Sequence, residues 1–283
     1  MRQVHVHPGA AVTQWGATVE LSAAVAALAA AVVYLVTARR LRRRGDTWPW
    51  ARDAAFISGC GAMTWAMSAE PPGGPFTRHM AQHLIVGMVA PLLLVLARPL
   101  TLALRGLAPG KVRRGLLRAA HSGPVAVLLS PPVAALADVA GLWLLYRTGL
   151  LAATHEHPVL HVVTHTHVLA AGLIFTFSVC QLDPVRRRWS LAARGTAVLT
   201  VGAAHAVLAK GLYGAPPPGT AFATGDLRTG AQLMYYGGDL IEIALAVTIA
   251  VQWYGATGRA HARRSGRGRG EDLAAGAVAR SDG

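Results

Sequence analysis

The sequence predicts an all-α membrane protein, a bundle of seven transmembrane helices. Of its 283 residues 53% are hydrophobic and only 14% are charged, and the mean hydropathy is +0.39. A soluble domain usually has about 25% charged residues. Long apolar runs recur along the chain, and each is close to the roughly 20 residues that a helix needs to cross a bilayer. The length leaves room for one such bundle and for little else.

The apolar runs divide the chain into seven expected spans and two flanking segments. We expect the spans at 17–37, 54–70, 79–104, 124–146, 158–181, 192–213 and 229–253. The second is short and weaker in hydropathy, and the fourth contains Pro131-Pro132, which predicts a kink or break. Residues 1–16 form a short extracytoplasmic segment, and 17–254 form the transmembrane domain. The basic tail 255–283 is rich in Gly, Arg and Ala and is expected to be disordered and cytoplasmic.

The distribution of basic residues predicts the orientation. Of the 27 Lys and Arg residues, 22 fall in four stretches, 39–52, 98–118, 186–194 and 259–280. With seven spans, these four stretches all lie on the same side of the membrane. The positive-inside rule makes that side cytoplasmic, so we expect the N-terminus outside and the C-terminus in the cytoplasm. The membrane is expected to be the plasma membrane. The basic residues of the cytoplasmic connections account for the net charge of +14. We therefore expect the lipid bilayer, and not nucleic acid, as the partner of these charges.

Histidines gather at the expected outer side. Nine of the 12 lie there, namely His5, His7, His79, His83, His155, His157, His161, His165 and His167. A tenth, His205, lies inside a span. Polar residues within spans usually face the bundle interior and are functional, and histidine is the commonest metal ligand. The pattern therefore indicates a site for a metal or haem near the outer face.

Two spans carry histidines on one helical face. His79 and His83 are four residues apart, a spacing that lets two imidazoles reach one metal. In the fifth span His157, His161 and His165 form a stripe at i, i+4 and i+8. Interfacial polarity alone explains the pair and the first residues of the stripe. It explains His165 poorly, because that residue lies two turns into the membrane.

Two further spans carry candidate donors. Cys60, Met63 and Met67 share a face of the second span, and soft sulfur ligands select Cu(I), although such residues are also ordinary packing residues. Asp239 and Glu242 lie in the seventh span, where they could accept hydrogen bonds from metal-bound histidines or relay protons. Structural pairing with His205 or Lys210 is the alternative. A helix rises about 1.5 Å per residue, which gives the depth of each donor below the outer end of its span. By this measure, donors from five helices lie at similar depths in the outer half of the membrane.

The third span makes the chain recognisable. His79-Met80-x-Gln82-His83, with Ala90-Pro91 and Pro99 after it, resembles the motif of the CtaG family of membrane-embedded cytochrome c oxidase assembly factors. The resemblance extends over about residues 50–255. The other matching positions are Leu142-Trp143, Leu160-His161, His165, Gly172, Phe175, Asp226, Gly230 and Met234.

Several positions depart from the family pattern. Thr164 stands where the family has Glu, and Tyr146 stands near the place of a usual His. Leu227, Tyr235 and Ala97 replace a usual Gln, Trp and Gly. The chain therefore resembles a divergent member, and the changes at Thr164 and Tyr146 affect the very region where a metal site is expected.

The resemblance implies an integral membrane assembly factor, which is a metallochaperone rather than an enzyme. Such a protein is expected to bind copper at the outer face of the membrane. It would assist delivery of the copper to subunits of a haem–copper terminal oxidase during respiratory chain biogenesis. The expected metal is copper, as Cu(I). Its expected ligands are four histidines and three methionines: His79, His83, His161, His165, Met80, Met63 and Met67. His205, Asp239 and Glu242 would support these ligands or couple to protons.

Other functions remain open at this stage. A copper permease or tolerance protein could use the same ligands but would need a polar route to the cytoplasm. A haem-binding electron carrier could place His83 and His165 on the two faces of a haem. A membrane hydrolase is disfavoured, because no His-Glu-x-x-His helix accompanies the histidines.

Overall fold

The computed structural model describes the backbone of residues 8–69 and 71–281, and the side chains of residues 21–69 and 71–258. The described part is helical with connecting turns. Its helices are α1 Pro8–Arg43, α2 Trp50–Ser68, α3 Pro75–Leu84, α4 Ala90–Leu96, α5 Pro99–Gly106, α6 Lys111–Ala120, α7 Gly123–Leu128, α8 Pro131–Arg147, α9 Leu150–Glu156, α10 Pro158–Cys180, α11 Leu191–Gly214 and α12 Thr224–Ser281.

The all-helical, multi-pass membrane architecture is confirmed, and the described part of the chain contains five or six candidate spans where the sequence predicts seven. Five helical stretches of the described part are long and apolar enough to cross a bilayer: Leu21–Arg43, Pro75–Gly106, Pro158–Cys180, Leu191–Gly214 and Thr224–Gly258. The pair α8 and α9 would make a sixth, but the two helices meet at an angle of 74°. The count of seven and the orientation stay predictions.

The second and fourth expected spans account for the difference. Helix α2 has 19 residues, but Arg52 and Asp53 in its first turn, with several Gly, Ser and Thr residues after them, lower its hydropathy. The expected span 124–146 is divided, because α7 ends at Leu128 and α8 begins at Pro131. This division confirms the break predicted at Pro131-Pro132, where proline removes a backbone donor and favours the start of a helix.

The two ends of the chain extend beyond the predicted boundaries. Helix α1 begins at Pro8, inside the segment 1–16, and residues 1–7 lie outside the described part, as does the prediction for His5 and His7. Helix α12 continues to Ser281, past residue 255 where a disordered tail is expected. The side chains beyond Gly258 also lie outside the description, and disorder of the tail stays a prediction.

The third span is built from pieces. Helix α3 passes at Leu84 into a π-helical turn, Ile85–Val89, before α4 continues. A π-helical turn inserts an extra residue into the hydrogen-bond ladder and is frequent at functional sites. Here Gly87 of the turn packs against α10, where a Cβ placed on Gly172 would lie 1.9 Å from the Gly87 carbonyl oxygen. Only two glycines let these backbones approach so closely.

Aspartates from distant parts of the chain cap two of the pieces. At the start of α3, Asp226 of α12 accepts hydrogen bonds from the backbone N–H of Phe76, at 2.8 Å, and of Thr77, at 3.0 Å. At the start of α5, Asp183 in the α10–α11 connection accepts from Thr101 N–H at 2.8 Å and from its hydroxyl. Each cap satisfies amides that the first turn of a helix leaves without a partner.

The core consists of three apolar clusters. One surrounds Phe76, Met80, Tyr146 and Met234, where α3, α8, α11 and α12 meet. A second joins α4, α10, α11 and α12 around Phe175 and Val179. The third joins α1, α2 and α5 around Tyr34, whose ring stacks on Phe56 at 4.1 Å between centroids. The first cluster fixes the helix ends that carry the histidines.

Candidate metal centre

The histidines lie at one end of the bundle, which we call the α3 end. Helices α3, α10 and α12 begin there, while α8 and α11 end there. The Asp226 cap on α3 joins two of these helices, and Phe222, in the loop before α12, packs on Phe76 at 4.9 Å between ring centroids. On α9, Ala152 packs against Gly219 of the same loop. The loops thereby cover the end of the bundle above the histidines.

Tyr146 contacts both histidines of α3, His79 and His83. Its hydroxyl and the Nε2 atom of His79 share a hydrogen bond of 2.9 Å. The rings of His79 and His83 meet that of Tyr146 edge to face, with centroids 5.8 and 6.0 Å away. Tyr146 is fully buried, so its hydroxyl holds His79 in one orientation. When Nε2 of His79 donates its proton to the Tyr146 oxygen, the lone pair of Nδ1 is left for a ligand.

A small cavity, the end cavity, brings three predicted ligands together. His79 and His83 approach it from α3, and His165 approaches it from α10. The rest of its lining is Gln82, Val86, Leu145, Tyr146, Thr164 and Val168. Both family departures, Tyr146 and Thr164, therefore lie in the wall of this cavity. The fourth predicted histidine, His161, stacks on His165 with ring centroids 4.1 Å apart, but its side chain is exposed.

A second cavity, the deep cavity, lies farther from the α3 end. His83 lines this cavity too and is the histidine common to both. Its other lining residues are Gly87, Met88, Asp138, Leu142, His167, Val168, Ala171, Val201 and His205. The rings of His83 and His205 are 6.3 Å apart between centroids. The π-helical turn that follows His83 contributes Gly87 to the wall.

His205 and Glu242 form a pair between α11 and α12. The Nδ1 atom of His205 lies 3.5 Å from Oε1 of Glu242, and both side chains are largely buried, with 5% and 16% of their surface exposed. Each rests on a glycine of the opposite helix. A Cβ on Gly238 would lie 2.2 Å from the His205 ring, and one on Gly202 would lie 2.2 Å from the Glu242 carboxylate.

The predicted sulfur ligands lie elsewhere. Met80 is fully buried in the cluster around Phe76, and Met63 packs with the cluster around Tyr34. Met67 is half-buried at the end of α2. None of the three lines either cavity. Asp239 is half-buried on α12 but lines neither cavity, unlike its neighbour in sequence Glu242, which pairs with His205.

The remaining histidines fall into different settings. His155 bonds to the carbonyl of Leu151 within α9, at 2.9 Å, and His157 is exposed between α9 and α10. His167 rests on Gly141 of α8, where a Cβ would lie 2.1 Å from its Nε2 atom. His121 bonds to Leu117 O at the other end of the bundle.

The donors form pairs rather than a closed cluster. In the described part of the chain, no group of three or more His, Cys, Asp and Glu side chains is placed to hold a metal ion. Three orphaned polar atoms are nevertheless buried near the histidines: Nδ1 of His83, Nε2 of His205 and Oε1 of Glu242 make no hydrogen bond to the described residues. Buried polar atoms normally have a partner. Two imidazole nitrogens and a carboxylate oxygen can all bind a cation, so a metal ion fits here.

Sequence reasoning missed Tyr146 and Asp226. It treats Tyr146 only as a lost histidine, whereas the structure places its hydroxyl against His79. A signal for Asp226 was present, because Gly74 precedes Pro75 and offers no side chain to cap α3. A helix that begins with Gly-Pro needs an acceptor from elsewhere.

Comparison with known families decides the identity of this fold. The model of the cytochrome c oxidase caa3 assembly factor family (Caa3_CtaG) matches residues 32–256. The chain belongs to this family. The match includes α2–α11 and both cavities, so the histidines of the end cavity lie within the part that the family shares. This multi-pass membrane protein is therefore a member of a family of oxidase assembly factors.

Among curated proteins, the chain is similar to larger relatives from mycobacteria. It is 29% identical over 251 residues to an uncharacterized protein of Mycobacterium leprae, an alignment that covers 80% of this chain and 38% of the relative. It is 33% identical over 168 residues to uncharacterized proteins of Mycobacterium bovis and Mycobacterium tuberculosis, covering 56% of this chain and 25% of each. The chain thus spans well under half the length of these relatives. No solved structure matches.

Proposed function

We propose that this assembly factor binds copper, as Cu(I), at the outer face of the plasma membrane and assists its delivery to a haem–copper oxidase. The observation that carries the proposal is the end cavity, where His79 and His83 of α3 and His165 of α10 share one wall. Two different helices supply the imidazoles, so binding depends on the packed bundle and not on one segment.

The choice of copper rests on the donors and on the family. Imidazole suits copper, zinc, iron and nickel, and the methionines that would favour Cu(I) lie in the core clusters. The histidines alone therefore do not select the metal. Membership of an oxidase assembly family favours copper, because the family resemblance implies a haem–copper oxidase as the enzyme that is assembled.

Each residue of the end cavity has a distinct task. Tyr146 holds His79 through its Nε2 atom, in the manner of the hydrogen bonds that orient metal-binding histidines. His83 supplies a buried imidazole, and His165 supplies a partly exposed one with His161 stacked behind it. A set of imidazole ligands near the end of the bundle can exchange its metal with a neighbouring protein in the same bilayer.

Metal analysis of the purified full-length protein, together with its optical spectrum, tests the site. We expect copper binding in the wild type and its loss in the double variant His83→Ala with His165→Ala. His121→Ala is the matched control, because its ring bonds within α6 at the other end of the bundle. Undiminished copper in the double variant would refute the site, and a Soret band would replace the proposal with a haem carrier.

Deletion of the gene tests the role. We expect terminal oxidase activity to fall while the oxidase subunits are still made, and added copper to restore part of it. If the strain keeps full oxidase activity but gains or loses cellular copper, a copper permease or tolerance protein replaces this function.

A further inference from the structure

The deep cavity holds two buried imidazoles that face the same space with nitrogens unused. His83 is 9% exposed and His205 is 5% exposed, and both line the cavity. Nδ1 of His83 and Nε2 of His205 have no hydrogen-bond partner among the described residues. A buried polar atom without a partner is destabilising, so two around one cavity call for an explanation.

The orientation of His205 is the one that a metal ligand requires. Its Nδ1 atom faces the Glu242 carboxylate at 3.5 Å, which favours the proton on Nδ1 and leaves the lone pair on Nε2. The contact has an ion-pair distance and is not a hydrogen bond, but a carboxylate at this nitrogen is the kind of group that orients a metal-binding histidine and raises its basicity. Gly238 and Gly202 make room for the two side chains, so the arrangement is built into the packing of α11 against α12.

We propose that His83 and His205 bind one metal ion between them, with Glu242 as the carboxylate that supports His205. The spacing of the rings agrees with this. A metal about 2 Å from a nitrogen of each ring places the two ring centroids roughly 6 Å apart when the ligands are opposed. The observed separation is 6.3 Å. Two opposed imidazoles form a low-coordinate site, which suits Cu(I) better than a metal that prefers four ligands.

Charge also favours a cation at this depth. Asp138 lines the same cavity, and Glu242 stands behind His205, while the other titratable group in the lining is His167. Among the residues whose side chains are described, no Lys or Arg lines it. The carboxylates would compensate the charge of an ion that lies away from water, where an isolated charge is costly.

The assignment rests on the proposed function for its cargo and gives the protein two metal positions. One is the end cavity, with His79 and His165, and the other lies between His83 and His205. His83 lines both cavities, so its ring can pass the ion from one position to the other by ligand exchange, without any change in oxidation state.

Anaerobic titration of the full-length protein in detergent with Cu(I) tests the second position. We expect two ions per chain in the wild type and one in His205→Gln. Glu242→Gln keeps the size of the side chain and should weaken the deep ion about 10–100-fold. The matched control is Glu156→Gln, which alters an exposed carboxylate that lines neither cavity. It should keep both ions at full affinity.

The variant His79→Ala with His165→Ala separates the two proposals. It should keep one ion, and X-ray absorption should show that ion with two nitrogen ligands. One ion in the wild type, unaffected by His205→Gln and lost in the His79/His165 variant, would overturn the deep position and leave the proposed function intact. One ion lost only in His205→Gln would support the deep position and refute the end cavity. No bound copper in the wild type would refute both.

Discussion

Thr77 donates both its backbone N–H and its side-chain hydroxyl to one carboxylate oxygen of Asp226, at 3.0 and 2.6 Å, across 149 residues of sequence. The second carboxylate oxygen accepts from Phe76 N–H. The first turn of α12 thereby fixes the first turn of α3, two residues before His79. A negative charge is favourable at this position, because the N-terminus of a helix carries partial positive charge.

Replacement of Asp226 by Ala should destabilise the protein through the start of α3. The variant leaves two amides without their acceptor, while the Thr77 hydroxyl keeps only the backbone carbonyl of residue 226, and loss of a helix cap costs about 0.5–2 kcal/mol. We expect thermal unfolding in detergent to shift down by a few degrees. Thr77→Val removes only the hydroxyl and should cost less. Glu156→Ala, at an exposed position, is the control, and an unchanged melting temperature for Asp226→Ala would show that the cap adds nothing.

The contact between Gly87 and Gly172 predicts a severe effect of one methyl group. In Gly172→Ala the new Cβ would lie 1.9 Å from the Gly87 carbonyl oxygen, and backbone cannot move aside as a side-chain end can. We expect a loss of at least about 1–3 kcal/mol in unfolding free energy, with displacement of the π-helical turn.

Gly195→Ala is the control for this substitution. A Cβ there meets nothing within 4 Å, so the helix α11 should gain about 0.5–1 kcal/mol. Equal melting temperatures for the two alanine variants would contradict the close approach of α10 to the π-helical turn.

Tyr146→Phe should weaken metal binding without unfolding the bundle. The change removes the hydroxyl that bonds to His79 Nε2 and keeps the ring that packs in the core. Loss of a group that orients a metal ligand typically lowers the affinity for the metal about 10–100-fold. Copper titration measures it, with Tyr213→Phe as the control at a partly exposed site.

Tyr146→His tests the same position from the other side. It introduces the residue type that the family usually has near this place, within reach of His79 and His83. We expect copper affinity to equal or exceed that of the wild type. A loss as large as that of Tyr146→Phe would mean that the hydroxyl, and not a nitrogen donor, is what the cavity requires.

The orientation of the bundle can be tested with a reporter that is active only outside the cytoplasm. Fusions after Pro75 or Thr220, at the α3 end, should be active, and fusions after Arg114 or Arg188 should be inactive. The reason is the concentration of Lys and Arg at the other end. Activity at Arg114 would invert the protein and place the end cavity in the cytoplasm.

Composition and periodicity alone predict the membrane character and most of the helices. Hydropathy does so because a span must satisfy its backbone internally and present apolar side chains to lipid. The motif around His79 and His83 led to the family, which the comparison confirms over residues 32–256. The i and i+4 spacing also placed these two histidines on one face, and both line the end cavity.

Tertiary structure alone decided which donors meet. Sequence spacing gives the face of a helix but not the rotation of that helix against its neighbours. Met63 and Met80 pack in separate clusters and line neither cavity, and their role as ligands stays a prediction. Tyr146, which stands near the place of a histidine in the family pattern, bonds to His79. His205 and Glu242 face each other because glycines on α11 and α12 let those helices pack closely. Contacts between residues far apart in sequence depend on such packing, which no local pattern encodes.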